Sequence, residues 1–170
     1  VSLSVGEVAD AEAQLAKVGA SDGTVSKLAG ALRQLVAAVK FQTWTRSEAP
    51  TTATEWMAES YYQQSRSLLQ ESLDAARNAA KASPEFGFAW ARVAELEFSF
   101  GRTSEALEAV EKGLQLAPRN AQALALKGFL FAAQNQIETA LSFFEQAIAL
   151  DGGLGNAWLG RGLCRIRKGN

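Results

Sequence analysis

Few side chains in this sequence are suited to chemistry. The 170 residues include no histidine, the side chain that most often acts as a general base, completes a nucleophile triad or binds zinc. The single cysteine, Cys164, can form neither an internal disulfide nor a CxxC site. Glu95 and Glu97 are two residues apart, so they point to different sides of a helix and cannot act as a carboxylate pair. The sequence therefore predicts no catalytic residue, no metal and no cofactor.

Three glycines near the C-terminus have a spacing similar to that of a phosphate-binding loop. Gly152, Gly153 and Gly155 lack both a preceding strand and the Gly-Lys-Ser/Thr that such a loop needs. We interpret them as a turn between helices.

Residues 155–170 carry only basic charges, which are Arg161, Arg165, Arg167 and Lys168. They could meet nucleic acid or an acidic partner, or they could form a solvated edge or pair with acids of a following helix. The chain as a whole has 17 basic and 18 acidic side chains and a net charge of -1, so we expect no nucleic-acid binding.

The composition is that of a chain able to bury a core. Hydrophobic residues make up 48% of it, yet no run of about 18 uncharged apolar residues could cross a bilayer, so we expect no membrane insertion. The chain begins at Val1 rather than methionine, and we expect it to be a piece of a longer protein.

The elements that must position any site repeat every 34 residues. Positions 34 apart carry the same type of side chain, either bulky and apolar, turn-forming, small, or helix-ending. The clearest columns are Trp56, Trp90, Leu124 and Trp158; Ser67, Gly101, Asn135 and Gly169; Ser72, Ala106 and Ala140; Pro84, Pro118 and Gly152. A period of this length indicates stacked structural repeats.

Each unit is predicted to form a helix, a turn and a second helix, as residues 87–120 illustrate. Gly101 suits the left-handed conformation that ends helices, and Thr103 is the predicted N-cap of the second helix. Ala106 and Gly113 are small, which lets two antiparallel helices approach closely. Pro118 then ends the unit.

These residues resemble the tetratricopeptide-repeat family. The matching positions are Trp90, Val93, Ala94, Ala106, Val110 and Pro118 in one unit, and Leu124, Gly128, Phe131, Ala140 and Phe144 in the next. Glu97 and Lys127 depart from the pattern. The resemblance implies an all-α fold, a right-handed α-solenoid of helix-turn-helix repeats at 53–86, 87–120 and 121–154, with a truncated fourth unit at 155–170.

Residues 1–52 fall outside the repeat and are predicted to form an N-terminal helical capping segment and a linker. Apolar spacing predicts helices over 7–18 and 25–39, and the stripe that should face the core of the second is Val25, Leu28, Leu32, Leu35, Val36 and Val39. Thr52 and Glu55 form a possible capping box at the start of the first repeat.

The first eight residues, with a weak strand pattern over 1–5, also resemble the end of a FecR-like domain of bacterial envelope proteins. This resemblance implies a bacterial cell envelope or periplasm, with the cytoplasm as the alternative.

In the tetratricopeptide-repeat family the first helices of successive repeats line a concave groove that holds a peptide or a helix. The resemblance places nine residues there, here called the groove positions: Met57, Tyr61, Phe88, Arg92, Glu95, Phe98, Gln122, Phe129 and Asn156. Their aromatic side chains either bind a partner or pack within the chain. Only Arg92 is basic at the places where one subset of the family clamps a carboxylate, so that clamp is absent.

The resemblance therefore implies a protein–protein interaction scaffold without enzymatic activity, whose partner is a protein or peptide. The alternative is a non-catalytic arm that recruits substrate for an enzyme with its catalytic domain elsewhere. Residues 155–170 have no second helix, so we expect either a following helix beyond Asn170 or self-association through this end.

Overall fold

The computed structural model describes residues 7–18, 23–45 and 48–169, and all regular structure in these ranges is helical. The chain forms two compact units, Val1–Ser83 and Pro84–Asn170. The predicted all-α architecture is confirmed, while the predicted strand over 1–5 lies outside the described residues. The helices are α1 (Val8–Ala16), α2 (Gly23–Val39), α3 (Ala53–Ser65), α4 (Leu69–Ala82), α5 (Gly87–Ser99), α6 (Thr103–Leu116), α7 (Ala121–Ala133), α8 (Ile137–Leu150) and α9 (Gly155–Lys168).

The two N-terminal helices share a small core of their own. Leu15 of α1 is buried against Ala29 and Val36 of α2. Arg33 of α2 donates hydrogen bonds to the carbonyl oxygens of Leu15 and Val18, at 2.8 and 3.1 Å. The Leu15 carbonyl also accepts from the backbone N–H of Val18 at 3.2 Å, so Arg33 adds a side-chain bond that links the end of α1 to α2.

α2 runs parallel to α3. Lys27, near the start of α2, donates to the hydroxyl of Thr51, just before α3, at 2.7 Å. Gln34, in the middle of α2, donates to the Glu59 carboxylate in the middle of α3, also at 2.7 Å. The segment between the two helices must therefore run back along their length, and within it the backbone N–H of Trp44 donates to the Tyr62 hydroxyl.

The apolar stripe predicted for α2 is partly wrong. Val25, Leu28 and Val39 are exposed, whereas the buried face consists of Ala29, Ala31, Gln34, Val36, Ala37 and Ala38. Alanines face the neighbouring helices because small side chains let helix axes approach closely. Gln34 is tolerated there because its amide is hydrogen-bonded.

The first repeat, α3 and α4, meets through two serines. The Ser60 and Ser72 hydroxyl oxygens are 3.1 Å apart, and the Ser72 hydroxyl donates a hydrogen bond to the Ser60 carbonyl oxygen at 2.7 Å. Both residues are fully buried. The polar pair is therefore satisfied internally, and it occupies positions where the second repeat carries Ala94 and Ala106 and the third carries Gly128 and Ala140.

The predicted turn column is confirmed by backbone geometry. Ser67, Gly101, Asn135 and Gly169 have φ values of 63°, 74°, 61° and 81°, in the left-handed region. At Gly101 the next N–H, that of Arg102, donates to the carbonyl of Glu97 at 3.0 Å, which is the Schellman arrangement.

The prediction that Thr103 caps α6 is wrong. The N-cap is Arg102, and no side chain caps the helix there. The left-handed turn at Gly101 already redirects the chain, so that Thr103 becomes the first helical residue. The Arg102 side chain instead pairs with the buried carboxylate of Glu97 at 2.6 Å, which explains how an acid is tolerated at that position.

Close backbone contact joins α5 and α6. A Cβ atom placed on Gly87 would lie 2.8 Å from the Gly113 carbonyl oxygen. Only glycine fits at that distance, as the small residue at 113 predicts.

A single aromatic ring joins the last three helices. Phe144 of α8 is fully buried, and a Cβ atom on Gly128 of α7 would lie 2.8 Å from its ring. A Cβ atom on Gly160 of α9 would overlap the same ring. Phe129 of α7 meets it edge-on, with ring centroids 4.9 Å apart. The ring therefore fills a slot with glycine on two sides.

We expect Gly160→Ala to lower the free energy of unfolding by about 1–3 kcal/mol, because the added methyl must displace a tightly packed ring. Gly162→Ala on the same helix is the matched control, since a Cβ there meets no atom within 4 Å. That change should stabilise the chain by about 0.5–1 kcal/mol through helix propensity alone. Urea unfolding followed by far-UV circular dichroism measures both, and equal effects would contradict the packing argument.

The predicted capping box at the start of α3 is confirmed. The Glu55 carboxylate accepts from the backbone N–H groups of Thr52 and Thr51 at 2.9 and 3.0 Å, and Thr52 accepts from the Glu55 N–H at 3.3 Å. Burial of the carboxyl acts to raise its pKa, but the four hydrogen bonds from Thr51 and Thr52 outweigh it, and the pKa of Glu55 is lowered.

A lowered folded-state pKa means that the ionised Glu55 contributes stability above its unfolded pKa of about 4.3, and that this contribution is lost as the pH falls through the folded value. We therefore expect Glu55→Ala to cost about 1 kcal/mol at pH 7 and progressively less toward pH 3. Urea unfolding at several pH values measures the difference. Glu85→Ala, at an exposed residue outside the helices, should show no such trend.

Candidate functional site

In the first unit the groove positions lie on α3. Met57 is half-buried and Tyr61 is exposed. Beside Tyr61 is an open cavity of about 510 Å³, bounded by the C-terminal ends of α2 and α3. Its lining residues are Leu35, Ala38, Val39, Phe41, Tyr61, Gln64, Ser65 and Ser67. The cavity includes side chains of α2, which lies in the segment predicted to cap the first repeat.

Phe41 forms the outer edge of this cavity and stands in an unusual backbone conformation. Its φ of 55° is in the left-handed region, which costs a non-glycine residue about 1–2 kcal/mol. The N–H of Gln42 donates to the Ala37 carbonyl at 2.9 Å, so α2 ends in the same Schellman arrangement as α3, α5 and α7. The ring is largely exposed, at 73%. Glycine or asparagine at this position would have indicated a left-handed turn in the sequence, whereas phenylalanine does not.

In the second unit the groove positions lie on α5, α7 and α9. Phe88 and Glu95 on α5 are exposed, as are Gln122 on α7 and Asn156 on α9. The Asn156 side-chain amide donates to the Gln122 side-chain oxygen at 3.2 Å. Residues one repeat apart therefore lie side by side on neighbouring first helices.

Arg92 does not present its charge to solvent. It is 2% exposed, and its guanidinium donates to the Glu95 carboxylate at 2.8 Å. The basic groove position therefore forms an ion pair within α5, in which the Arg92 guanidinium is buried and the Glu95 side chain is exposed.

Two aromatic groove positions are half-buried, Phe98 on α5 and Phe129 on α7. Phe129 packs edge-on against Phe144 and so belongs to the core of the third repeat. Of the two readings that the sequence left open, internal packing applies to Phe129. Tyr61 and Phe88, which are 39% and 53% exposed, are the most exposed aromatic groove positions.

Outside the groove positions the described residues offer little chemistry. No group of three or more Cys, Asp or Glu side chains that could hold a metal ion occurs among them. Cys164 is buried, and this burial raises the pKa of its thiol although Arg167 acts to lower it. No helix in the described part of the chain has the length and apolar character needed to cross a membrane.

Paired helices joined by left-handed turns and repeating every 34 residues define a protein built from stacked helical repeats. Residues 121–153 match the tetratricopeptide repeat family. A 70-residue stretch is 39% identical to the Small glutamine-rich tetratricopeptide repeat-containing protein 2 of Mycosarcoma maydis, covering 41% of this chain and 19% of that protein. The match thus spans about a fifth of the length of that relative.

Solved structures share the fold. The first TPR of Spaghetti (RPAP3) bound to HSP90 peptide SRMEEVD matches with a TM-score of 0.63 at 14% identity, over 69% of this chain and 94% of that chain. The TPR2B-domain:pHsp70-complex of yeast Sti1 matches with a TM-score of 0.61 at 17% identity, over 68% and 97%. Residues 121–153 therefore match a tetratricopeptide repeat, and the chain has the all-α fold of these structures.

Replacing Phe129 with alanine should lower the free energy of unfolding by about 2–4 kcal/mol, because its ring packs on the buried Phe144. Phe88→Ala is the matched control on another first helix. Since Phe88 is mostly exposed, its loss should cost less than about 1 kcal/mol. Thermal and urea unfolding measure both, and similar losses would mean that Phe88 is also a core residue.

Proposed function

We propose that this chain is a non-catalytic interaction module that binds a peptide or helical segment of a protein partner at its groove positions. The observation that carries the proposal is the exposure of two aromatic groove positions on first helices, Tyr61 beside the 510 Å³ cavity in one unit and Phe88 in the other. Apolar surface of this kind is characteristic of binding grooves.

The chemistry of the surface favours a ligand with apolar anchor residues. The cavity lining is uncharged, and its polar groups are the side chains of Tyr61, Gln64, Ser65 and Ser67. A large apolar side chain can fill the cavity while the peptide backbone bonds to these groups.

A terminal carboxylate is a poor candidate for the anchor. Arg92, the basic groove position, is buried against Glu95. Because the Glu95 carboxylate is paired with Arg92, the groove positions offer a carboxylate ligand no unpaired positive charge.

Two of the structural neighbours support the general mode of binding. One is a TPR bound to an HSP90 peptide and the other a TPR domain in complex with pHsp70. We infer from them that the same face of the fold is used, with different anchor chemistry in this chain.

A library of random peptides of about 12 residues displayed on phage, selected on the immobilised full chain, tests the proposal. We expect the enriched peptides to carry aromatic or aliphatic anchors. The affinity of each peptide, measured by calorimetry, should fall at least fivefold for either Tyr61→Ala or Phe88→Ala, according to the unit that the peptide binds, because the change removes a contact ring.

Phe100→Ala is the control, since Phe100 is an exposed aromatic residue just beyond α5 and not a groove position. Affinity for that variant should change less than twofold. Peptides that bind all three variants equally well, or a selection that enriches none, would refute the proposed groove.

A further inference from the structure

A second cavity in the first unit, of about 430 Å³, has a charged lining. We call it the polar cavity and define it by Gly30 and Arg33 of α2, Trp44 and Glu48 of the segment after α2, and Thr51 just before α3. A Cβ atom on Gly30 would meet no atom within 4 Å among the described residues, so this glycine leaves room that a side chain would take. The cavity therefore lies where the segment after α2 runs back to the start of α3.

Two of the charged side chains that line the polar cavity offset each other. Lys27 donates a hydrogen bond to the Thr51 hydroxyl at 2.7 Å, and that hydroxyl donates to the Glu55 carboxylate at 3.1 Å. The Glu55 carboxylate is also the acceptor of the capping box of α3. The opposite charges of Lys27 and Glu55 are thus linked through one hydroxyl group.

The other two charged lining residues have no charged partner in the described part of the chain. Arg33 is half-buried, and its hydrogen bonds go from one nitrogen, Nη2, to the neutral carbonyl oxygens of Leu15 and Val18. Its Nε and Nη1 donors remain available. Glu48 is exposed, and no cation among the described residues pairs with its carboxylate.

Trp44 adds an unpaired donor to the same wall. Its indole N–H is buried and has no hydrogen-bond partner among the described residues, whereas those of Trp90 and Trp158 donate to carbonyl oxygens at 2.8 and 3.0 Å. Buried donors are almost always hydrogen-bonded. The Trp44 N–H therefore indicates that an acceptor belongs beside it.

Trp44 and Arg33 also line a neighbouring cavity of about 390 Å³. The acid of that cavity, Glu12, is paired with Lys40 at 2.9 Å. An unpaired carboxylate therefore faces an unpaired guanidinium in the polar cavity and not in its neighbour.

These groups favour a ligand that carries both charges. Arg33 and the Trp44 N–H require an anionic acceptor and Glu48 requires a cation, since a ligand of one charge would leave the other lining charge unpaired. The volume of about 430 Å³ is within the range of small-molecule sites. With Lys27 and Glu55 offset, no further charge is needed on the ligand.

We propose that the polar cavity binds a free α-amino acid with an uncharged side chain. Its carboxylate accepts hydrogen bonds from Arg33 and Trp44, and its ammonium lies against Glu48. None of the groove positions lines the cavity, so the site is separate from the proposed peptide groove and does not depend on it.

Nuclear magnetic resonance of the full chain labelled with ¹⁵N tests the proposal through the tryptophan indole N–H signals. The probes are L-alanine, L-leucine, L-glutamine and L-phenylalanine, added at constant pH and ionic strength. The Trp44 signal, assigned with Trp44→Phe, should shift with at least one of them. The signals of Trp90 and Trp158, which are bonded and belong to the other unit, should stay in place.

Analogues that lack one charge test the pairing. For the amino acid that binds best, the analogue without the amino group and the analogue without the carboxyl group should each bind about tenfold more weakly. For L-leucine these analogues are isocaproate and isopentylamine.

Glu48→Gln locates the ammonium. It should weaken the amino acid about fivefold but change the affinity of the analogue without an amino group less than about twofold, because that analogue has no cation to lose. Glu12→Gln is the matched control, since Glu12 lies in the neighbouring cavity and is already paired, and it should change neither affinity.

Arg33→Gln locates the carboxylate and should weaken both the amino acid and its analogue without an amino group. Because Arg33 also holds the end of α1, circular dichroism must show an intact fold. If that variant loses its helical signal, the comparison of Glu48→Gln with Glu12→Gln decides alone.

The proposal is overturned if none of the four amino acids shifts the Trp44 signal. It is also overturned if the analogue without an amino group binds as tightly as the amino acid, which would indicate a site for simple anions. Equal weakening of both ligands by Glu48→Gln would likewise contradict it.

Discussion

The closest approach between helices in this chain is set by glycine. In the third repeat the Phe144 ring fits because Gly128 and Gly160 have no side chain, and in the second repeat the backbones of Gly87 and Gly113 meet directly. A methyl group at these positions would separate helices whose stability comes from mutual burial. The remaining core positions are mainly alanine, so the geometry of the repeats depends on a few positions where nothing larger is accommodated.

Much of this arrangement could be predicted from the sequence because it depends on residue size and on backbone conformation. The 34-residue columns identified the turns at Ser67, Gly101 and Asn135, and all have positive φ. The capping box at Thr52 could also be predicted, since it acts over three residues. The glycine at 113 could be predicted because close antiparallel helices need a small residue.

The N-terminal segment was harder to predict because its helix faces are chosen by tertiary neighbours. Apolar periodicity assigned Val25, Leu28 and Val39 to the core, but α2 packs through alanines and Gln34 instead. The turn at Phe41 has the backbone geometry of the other turns, but phenylalanine is not a residue that indicates such a turn. The sequence therefore did not show that α2 ends in the same way as the first helices of the repeats. In the candidate site, the contact between Gln122 and Asn156 could be predicted because they are one repeat apart. The burial of Arg92 could not, because it depends on the ion pair with Glu95.

The Schellman turns have a consequence for how such a chain can grow. Ser67, Gly101, Asn135 and Phe41 differ in chemistry but leave the backbone in one conformation. The segments between the turns at Ser67, Gly101 and Asn135 each hold two helices and begin and end at the same backbone conformation. Such helix pairs can therefore be duplicated, deleted or exchanged without rebuilding the turn itself.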